Sequence, residues 1–110
     1  MSRQKRPGVF NLKNLYLIYM KDTKTFERCF VQLIAEKVDA SGMKHTEFAK
    51  LAFGETSGAR IWRKLRSQDE YRALTIEEAY SMAKALKTPF PLLVYDICQE
   101  IEKRGLLRQG

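Results

Sequence analysis

The stretch SGMKHTEFAKLAFGETSGARIWRKLRS, residues 41–67, contains two short amphipathic segments separated by a turn. In the first segment, residues 44–53, a helical period gathers three apolar side chains on one face, namely Phe48, Leu51 and Ala52. Gly54 follows at once, and glycine readily takes the positive φ that ends a helix. The spacing therefore predicts a helix over 44–53.

The second segment, residues 59–67, begins after the turn sequence ETSG. Thr56 or Ser57 is the expected N-terminal cap, because a hydroxyl oxygen can accept a hydrogen bond from the first turn of a helix. Two short helices joined by a glycine-containing turn predict a helix-turn-helix over residues 41–67.

The second helix of this pair has two contrasting faces when drawn at about 100° per residue. Four residues lie in one sector and form the expected core face: Gly58, Ile61, Trp62 and Leu65. The opposite side carries Ala59, Arg60, Arg63, Lys64 and Ser67. Residues 60–66 include four cationic side chains and no acidic one. One side of this helix is therefore core, and the other is basic.

A helix that reads the major groove of DNA needs a buried anchor, forked donors and small residues that allow close approach. Arg60 and Arg63 are the candidate base contacts, since a guanidinium can bond two guanine acceptors at once. Ala59 would touch a thymine methyl, and Ser57 would serve a base or a phosphate. The phosphate candidates on this helix are Lys64, Arg66 and Ser67. The competing interpretation is a basic face that only confers solubility.

The rest of the chain predicts an all-α domain of five helices. Helix one spans residues 25–40, and its inward positions are Phe26, Phe30, Leu33, Ile34 and Lys37 or Val38, with Ser41 and Gly42 closing it. After a polar loop over 67–74, Thr75 and Glu78 form a capping box. The expected apolar stripe of helix four is Ile76, Ala79, Tyr80, Ala83 and Leu86.

Pro89 and Pro91 stop the fourth helix and start the fifth. The fifth runs to Gly105 and turns five residues inward: Leu93, Val94, Ile97, Cys98 and Ile101. This pattern divides the chain into residues 1–24, a basic arm with an apolar extension, residues 25–104, the DNA-binding domain, and residues 105–110, a C-terminal tail. The run VFNLKNLYLIYM at 9–20 is either a short strand that pairs with its copy in a dimer or an extra helix.

The net charge of +7 favours an anionic partner, and the excess is local. Residues 1–24 hold six Lys or Arg against one acid, whereas residues 25–54 and 73–110 each balance. Within the arm, Arg3, Lys5 and Arg6 either wrap DNA or form a solubilising tail. No stretch approaches the roughly 20 apolar residues of a membrane span, and no signal cleavage site follows LYLIYM. We therefore expect an intracellular protein.

Residues 25–97 resemble the phage-repressor family of helix-turn-helix domains, the lambda repressor and Cro type, or XRE family, of bacteria and phages. MKHTEFAKLAFG resembles the family's second helix, in which Phe48 and Ala49 would pack against the recognition helix. LTIEEAYSMAKALKTPFPLL resembles its fourth helix and the start of its fifth. The resemblance implies a lambda-repressor-like fold and a cytoplasmic transcriptional regulator, often a repressor. Such a protein is often a homodimer on double-stranded DNA with a palindromic operator.

Two departures from the family pattern affect the site. The family has glycine four residues after the alanine, whereas this chain has Phe53 there and Gly54 next. The turn can then be longer, which leaves two alternatives for the buried residues of helix three: Ala59 and Trp62, or Ile61 and Leu65. Our helical wheel favours the second pair, with Trp62 alongside. Where the family often has a phosphate-binding Gln, this chain has His45, so the phosphate contact passes to His45, Lys44 or Thr46. Otherwise His45 is an exposed residue with no special task.

The leading functional hypothesis is a sequence-specific DNA-binding regulator that occupies an operator. The alternative is an antitoxin that represses its own operon and binds a toxin protein through apolar positions near residues 9–20 and 92–107. An enzyme is not expected, because the single histidine has no nucleophile partner by spacing and no phosphate loop appears. No cofactor or metal is expected either, and Cys29 and Cys98 are interpreted as reduced core thiols.

Overall fold

The computed structural model describes residues 23–69 and 72–107. Across those residues the secondary structure is entirely helical, which confirms the predicted all-α domain of five helices. The helices are α1 (Thr23–Ser41), α2 (His45–Phe53), α3 (Gly58–Arg66), α4 (Ile76–Ala85) and α5 (Phe90–Arg104). The predicted N-terminal arm and the predicted strand or helix at 9–20 lie outside the described residues.

Helix α1 ends as its sequence predicts. The Ser41 hydroxyl donates to the carbonyl of Val38 at 2.7 Å, and the Met43 amide donates back to that hydroxyl at 3.1 Å. Gly42 then turns the chain with φ +81°. These local bonds stop the helix and redirect the chain into α2 within three residues.

Helix α2 lies at the centre of the domain, where it packs on α1, α3 and α4. Its buried side chains are Phe48, Ala49 and Ala52, whereas Leu51 is 59% exposed. Placing Leu51 on the buried face was therefore wrong. The buried arc is centred near Ala52, and Leu51 stands about 100° from that residue on the wheel. Ala49 is buried instead, where the phage-repressor resemblance puts it.

Helices α4 and α5 complete the core: α4 packs on α2, and α5 packs on α1 and α4. The capping box at Thr75 is confirmed, because its hydroxyl accepts from the Glu78 amide and the Glu78 carboxylate accepts from the Thr75 amide, both at 3.0 Å. The buried face of α4 consists of small or flexible side chains, Ala79, Met82, Ala83 and Ala85. The predicted stripe was wrong at Ile76 and Tyr80, which are 76% and 52% exposed.

Helix α5 starts at Phe90, behind Pro89, and buries three of its predicted positions, Leu93, Ile97 and Ile101. It ends in a Schellman turn, in which Gly105 is left-handed at φ 66° and the Leu106 amide donates to the carbonyl of Ile101. That turn brings Leu107, a residue of the predicted tail, back into the core with 8% exposure. The core thus extends beyond the last helix.

The two cysteines are half-buried, and Cys29 packs against the core. Burial raises the pKa of the Cys29 thiol, which keeps it protonated at neutral pH. Of the helices in the described part of the chain, none combines the length and the apolar character needed to cross a membrane.

Candidate nucleic-acid interface

The outer side of α3 carries four exposed residues that we call the basic face: Ala59, Arg60, Arg63 and Lys64. Within the described residues, no carboxylate forms an ion pair with any of its three cations. Their charge is therefore not neutralised locally. Arg63 and Lys64 also lie in the last turn of the helix, where the macrodipole favours cations.

The inner side of α3 is anchored by Gly58, Trp62 and Leu65, of which Trp62 is only 1% exposed. Ile61 is half-buried and Ala59 is exposed. Of the two alternatives for the buried residues of helix three, the set Ile61 and Leu65 with Trp62 alongside agrees with the structure. This rotation of α3 is what places Arg60 and Arg63 together in solvent.

Gly58 permits the close approach of α3 to α2. A Cβ built on Gly58 would overlap the backbone carbonyl of Ala49, with its carbon 2.8 Å and the Lys50 Cα 3.2 Å away. Only glycine fits at this crossing. On the preceding turn, Gly54 has φ +108°, which confirms the positive dihedral that its sequence position predicts.

Trp62 is held from several directions by aromatic side chains. The ring of Phe48 meets it edge-on at a centroid distance of 5.0 Å, and that of Phe53 lies 6.2 Å away at 28°. The guanidinium carbon of Arg66 lies 5.1 Å from the Trp62 ring centroid, a cation–π contact. The indole thus ties the basic face rigidly to the core beneath it.

Arg66, a predicted phosphate contact, is half-buried against Trp62 and stands apart from the basic face. Burial lowers the pKa of its guanidinium, the Asp39 carboxylate partly opposes this effect, and Arg63 lowers it further. The side chain remains charged, since arginine is not deprotonated in proteins at ordinary pH. In this position it packs on the indole.

His45 uses both ring nitrogens in hydrogen bonds within the domain. Trp62 Nε1 donates to His45 Nδ1 at 3.0 Å, and His45 Nε2 lies 2.8 Å from Asp39 Oδ1. His45 is half-buried and bonded at both ring nitrogens, so the interpretation of it as an exposed residue was wrong. Periodicity does not reveal such a contact, because it joins residues 17 positions apart whose side chains meet only after α2 and α3 have packed.

The other predicted contact residues lie at the ends of α2 and α3. Lys44 is the N-cap position of α2 and forms no side-chain cap bond, and Thr46 is exposed in the first turn. Ser57 occupies the N-cap position of α3, as one of the two predicted alternatives, but its hydroxyl forms no cap bond. Ser67 follows α3, and its carbonyl accepts from Arg28 Nη1 at 2.9 Å.

The predicted arm contacts Arg3, Lys5 and Arg6 lie outside the described residues. In the described ranges, no group of three or more His, Cys, Asp or Glu side chains is arranged to hold a metal ion.

Comparison of the chain with protein-family models, curated proteins and solved structures finds no match in any of the three.

Proposed function

We propose that this protein is a cytoplasmic, sequence-specific DNA-binding regulator that occupies an operator and has no catalytic activity. The observation that carries the proposal is the basic face of α3. Its cations are exposed and have no ion-pair partner among the described residues, while Trp62 anchors the same helix in the core. A rigid helix with exposed guanidinium groups suits entry into a major groove. The phage-repressor resemblance of residues 25–97 gives the same expectation for α3.

The contacts are divided by chemistry. Arg60 and Arg63 bind guanine edges, and Ala59 lies against a thymine methyl. The hydroxyl of Ser57, which forms no hydrogen bond within the helix cap, bonds a base or a phosphate. Lys64 binds a phosphate, and the exposed N-terminus of α2 at Lys44 and Thr46 binds another through its amide groups. The packed positions of Arg66 and His45 make them supports of α3 in this proposal.

Selection of bound sequences from random double-stranded DNA at a stated salt concentration tests the proposal directly. Enrichment of one motif is the expected result, and a palindromic motif would indicate a homodimer. Arg60→Ala or Arg63→Ala should weaken binding by about 1–3 kcal/mol and relax the preference at one base pair. Lys64→Ala should weaken all sequences alike. If no sequence is enriched, sequence-specific recognition is wrong.

A second candidate, an antitoxin, is favoured by exposed apolar side chains on and after α5. Leu92, Tyr95 and Leu106 are 49%, 60% and 39% exposed, within the region 92–107. Such side chains suit contact with a protein, either a second copy of this chain or a toxin. Native mass spectrometry of the protein purified after co-expression with its genomic neighbours distinguishes the two. A heterocomplex supports the antitoxin, and a homodimer alone supports the simple regulator.

A further inference from the structure

We infer that Asp39, His45 and Trp62 form a hydrogen-bond relay that positions the basic face and makes DNA binding sensitive to pH. The inference rests on the proposed function, because the basic face is its output. The relay joins α1, α2 and α3, since each of the three residues lies on a different helix. His45 is the link between the other two.

The relay fixes the histidine tautomer. An indole N–H can only donate, so His45 Nδ1, at 3.0 Å from Trp62 Nε1, must carry a lone pair. The proton of the neutral ring therefore sits on Nε2, which donates to Asp39 Oδ1 at 2.8 Å. The planes of the two rings are nearly parallel, at 17° with centroids 6.2 Å apart.

Protonation of His45 breaks the relay at Trp62. A second ring proton on Nδ1 would face the indole N–H, and two donors cannot bond each other. Trp62 is 1% exposed, so water offers its N–H little replacement. A protonated His45 ring would gain little from an ion pair with Asp39, because the Asp39 side chain is 71% exposed and water screens the pair.

Charged groups meet the relay from two neighbouring helices. From α1 the carboxylate of Asp39 bonds the His45 ring, and from α3 the guanidinium of Arg66 lies over the Trp62 ring to which His45 is bonded. On α2 itself, the chain neighbours with charge are Lys44 and Glu47, both exposed. Histidine is the side chain that ordinarily changes charge between pH 5 and 8, and this chain has one.

The relay is testable by NMR without DNA, because the chain has a single histidine and a single tryptophan. In ¹⁵N-labelled full-length protein at pH 7.5, the imidazole nitrogens should show the Nε2–H tautomer. His45→Ala should shift the single indole N–H signal and speed its hydrogen exchange.

His45→Asn is the matched control, since its side-chain oxygen stands where Nδ1 stands and does not titrate. In the wild type, acidification to pH 5.5 should move the α3 amide signals, and in His45→Asn it should not.

The DNA experiment uses the best sequence from the random selection. Wild-type affinity should fall about fivefold between pH 7.5 and 5.5, as expected when a buried donor loses its partner. His45→Asn should keep nearly wild-type affinity at both pH values, and His45→Ala should be weak at both. Circular dichroism checks that the His45→Ala protein is folded.

Three results would overturn the relay: an Nδ1–H tautomer, an indole signal indifferent to His45→Ala, or affinity that rises on acidification only in the wild type. The last result would mean that His45 binds a phosphate directly. If the wild type binds no DNA, the proposed function fails, while the tautomer and the α3 amide signals still decide whether the relay exists.

Discussion

Gly58 shows how one residue controls the geometry of the helix pair. Any side chain there would meet the backbone of Ala49 and Lys50, which cannot move without shifting the whole of α2. The contact sets the distance between α2 and α3, and through Trp62 it sets the pose of the basic face. The resemblance to phage repressors names Ala49 as a packing residue, but it does not reveal that Gly58 is its counterpart.

We expect Gly58→Ala to destabilise the domain by about 1–3 kcal/mol, the range for an overpacked site. The sign of the change in unfolding free energy decides the matter. At an unhindered site, Gly→Ala stabilises a protein by about 0.4–1 kcal/mol because it lowers the conformational entropy of the unfolded chain. Urea unfolding followed by circular dichroism measures it. Ala59→Ser, one residue along on the exposed side, is the control and should change little. A stabilised Gly58→Ala protein would contradict the close crossing.

At the scale of helices, the end of α4 contains a residue in a conformation that suits glycine. Lys87 has φ 58°, and the Thr88 amide donates across the turn to the carbonyl of Ala83. This is a Schellman turn without its usual glycine. A side chain with Cβ costs about 1–2 kcal/mol in that region of backbone space.

Lys87→Gly should therefore stabilise the domain by about 1 kcal/mol. Its matched control is Lys84→Gly, an exposed position inside the same helix, which should destabilise by about 1 kcal/mol because glycine is a poor helix former there. Thermal unfolding of the two variants side by side gives the comparison. Equal effects of the same sign would show that the left-handed turn carries no strain.

The start of α4 predicts a dependence on pH. Burial alone would raise the pKa of Glu78, but hydrogen bonds from Arg72 and Thr75 outweigh it, so the pKa is lowered from its ordinary 4.5. A lowered folded-state pKa means that the bonded carboxylate stabilises the fold above the ordinary value. That stabilisation is lost as the pH falls below about 4.5.

Glu78→Gln should lower the free energy of unfolding by about 1 kcal/mol at pH 7, a figure reduced because Arg72 is partly exposed. The difference from wild type should shrink between pH 7 and pH 3, because the wild-type carboxylate takes up a proton as the pH falls below the ordinary value. Glu77→Gln is the control, since Glu77 lies in the same first turn but is exposed. Urea unfolding at the two pH values provides the measurement; a gap that persists in acid would contradict the assignment to charge.

Helix existence and order were predictable because each boundary has local chemistry: the Thr75 capping box, Pro89 before α5 and the glycines after α1, α2 and α5. Burial was predictable where side chains are large, as at Trp62, and wrong at Leu51, Ile76 and Tyr80. Small residues, such as Ala49 on α2 and Ala83 on α4, are buried in their stead, because the helices cross closely. The contacts of His45 and Arg66 depend on tertiary packing, which no local period encodes.

At the scale of the whole molecule, the proposed affinity for DNA depends either on the net charge of +7 or on the basic face alone. Each phosphate neutralised by a cation contributes about 0.9 to the slope of log affinity against log salt concentration. A diffuse attraction would weaken alike for the loss of any lysine. A localised interface would weaken only for the cations that touch the backbone.

Lys64→Ala should therefore reduce the magnitude of that slope by about 1, whereas Lys103→Ala, an exposed cation on α5, should leave it unchanged. Both variants lower the net charge by one, so they separate charge from position. Fluorescence anisotropy of a labelled duplex over a series of salt concentrations gives the two slopes. Equal slopes for both variants would assign the affinity to overall charge, and the basic face would lose its special role. The cations of the basic face have no ion-pair partner among the described residues. Removing one of them therefore breaks no ion pair, and the change in slope reports the lost contact with DNA alone.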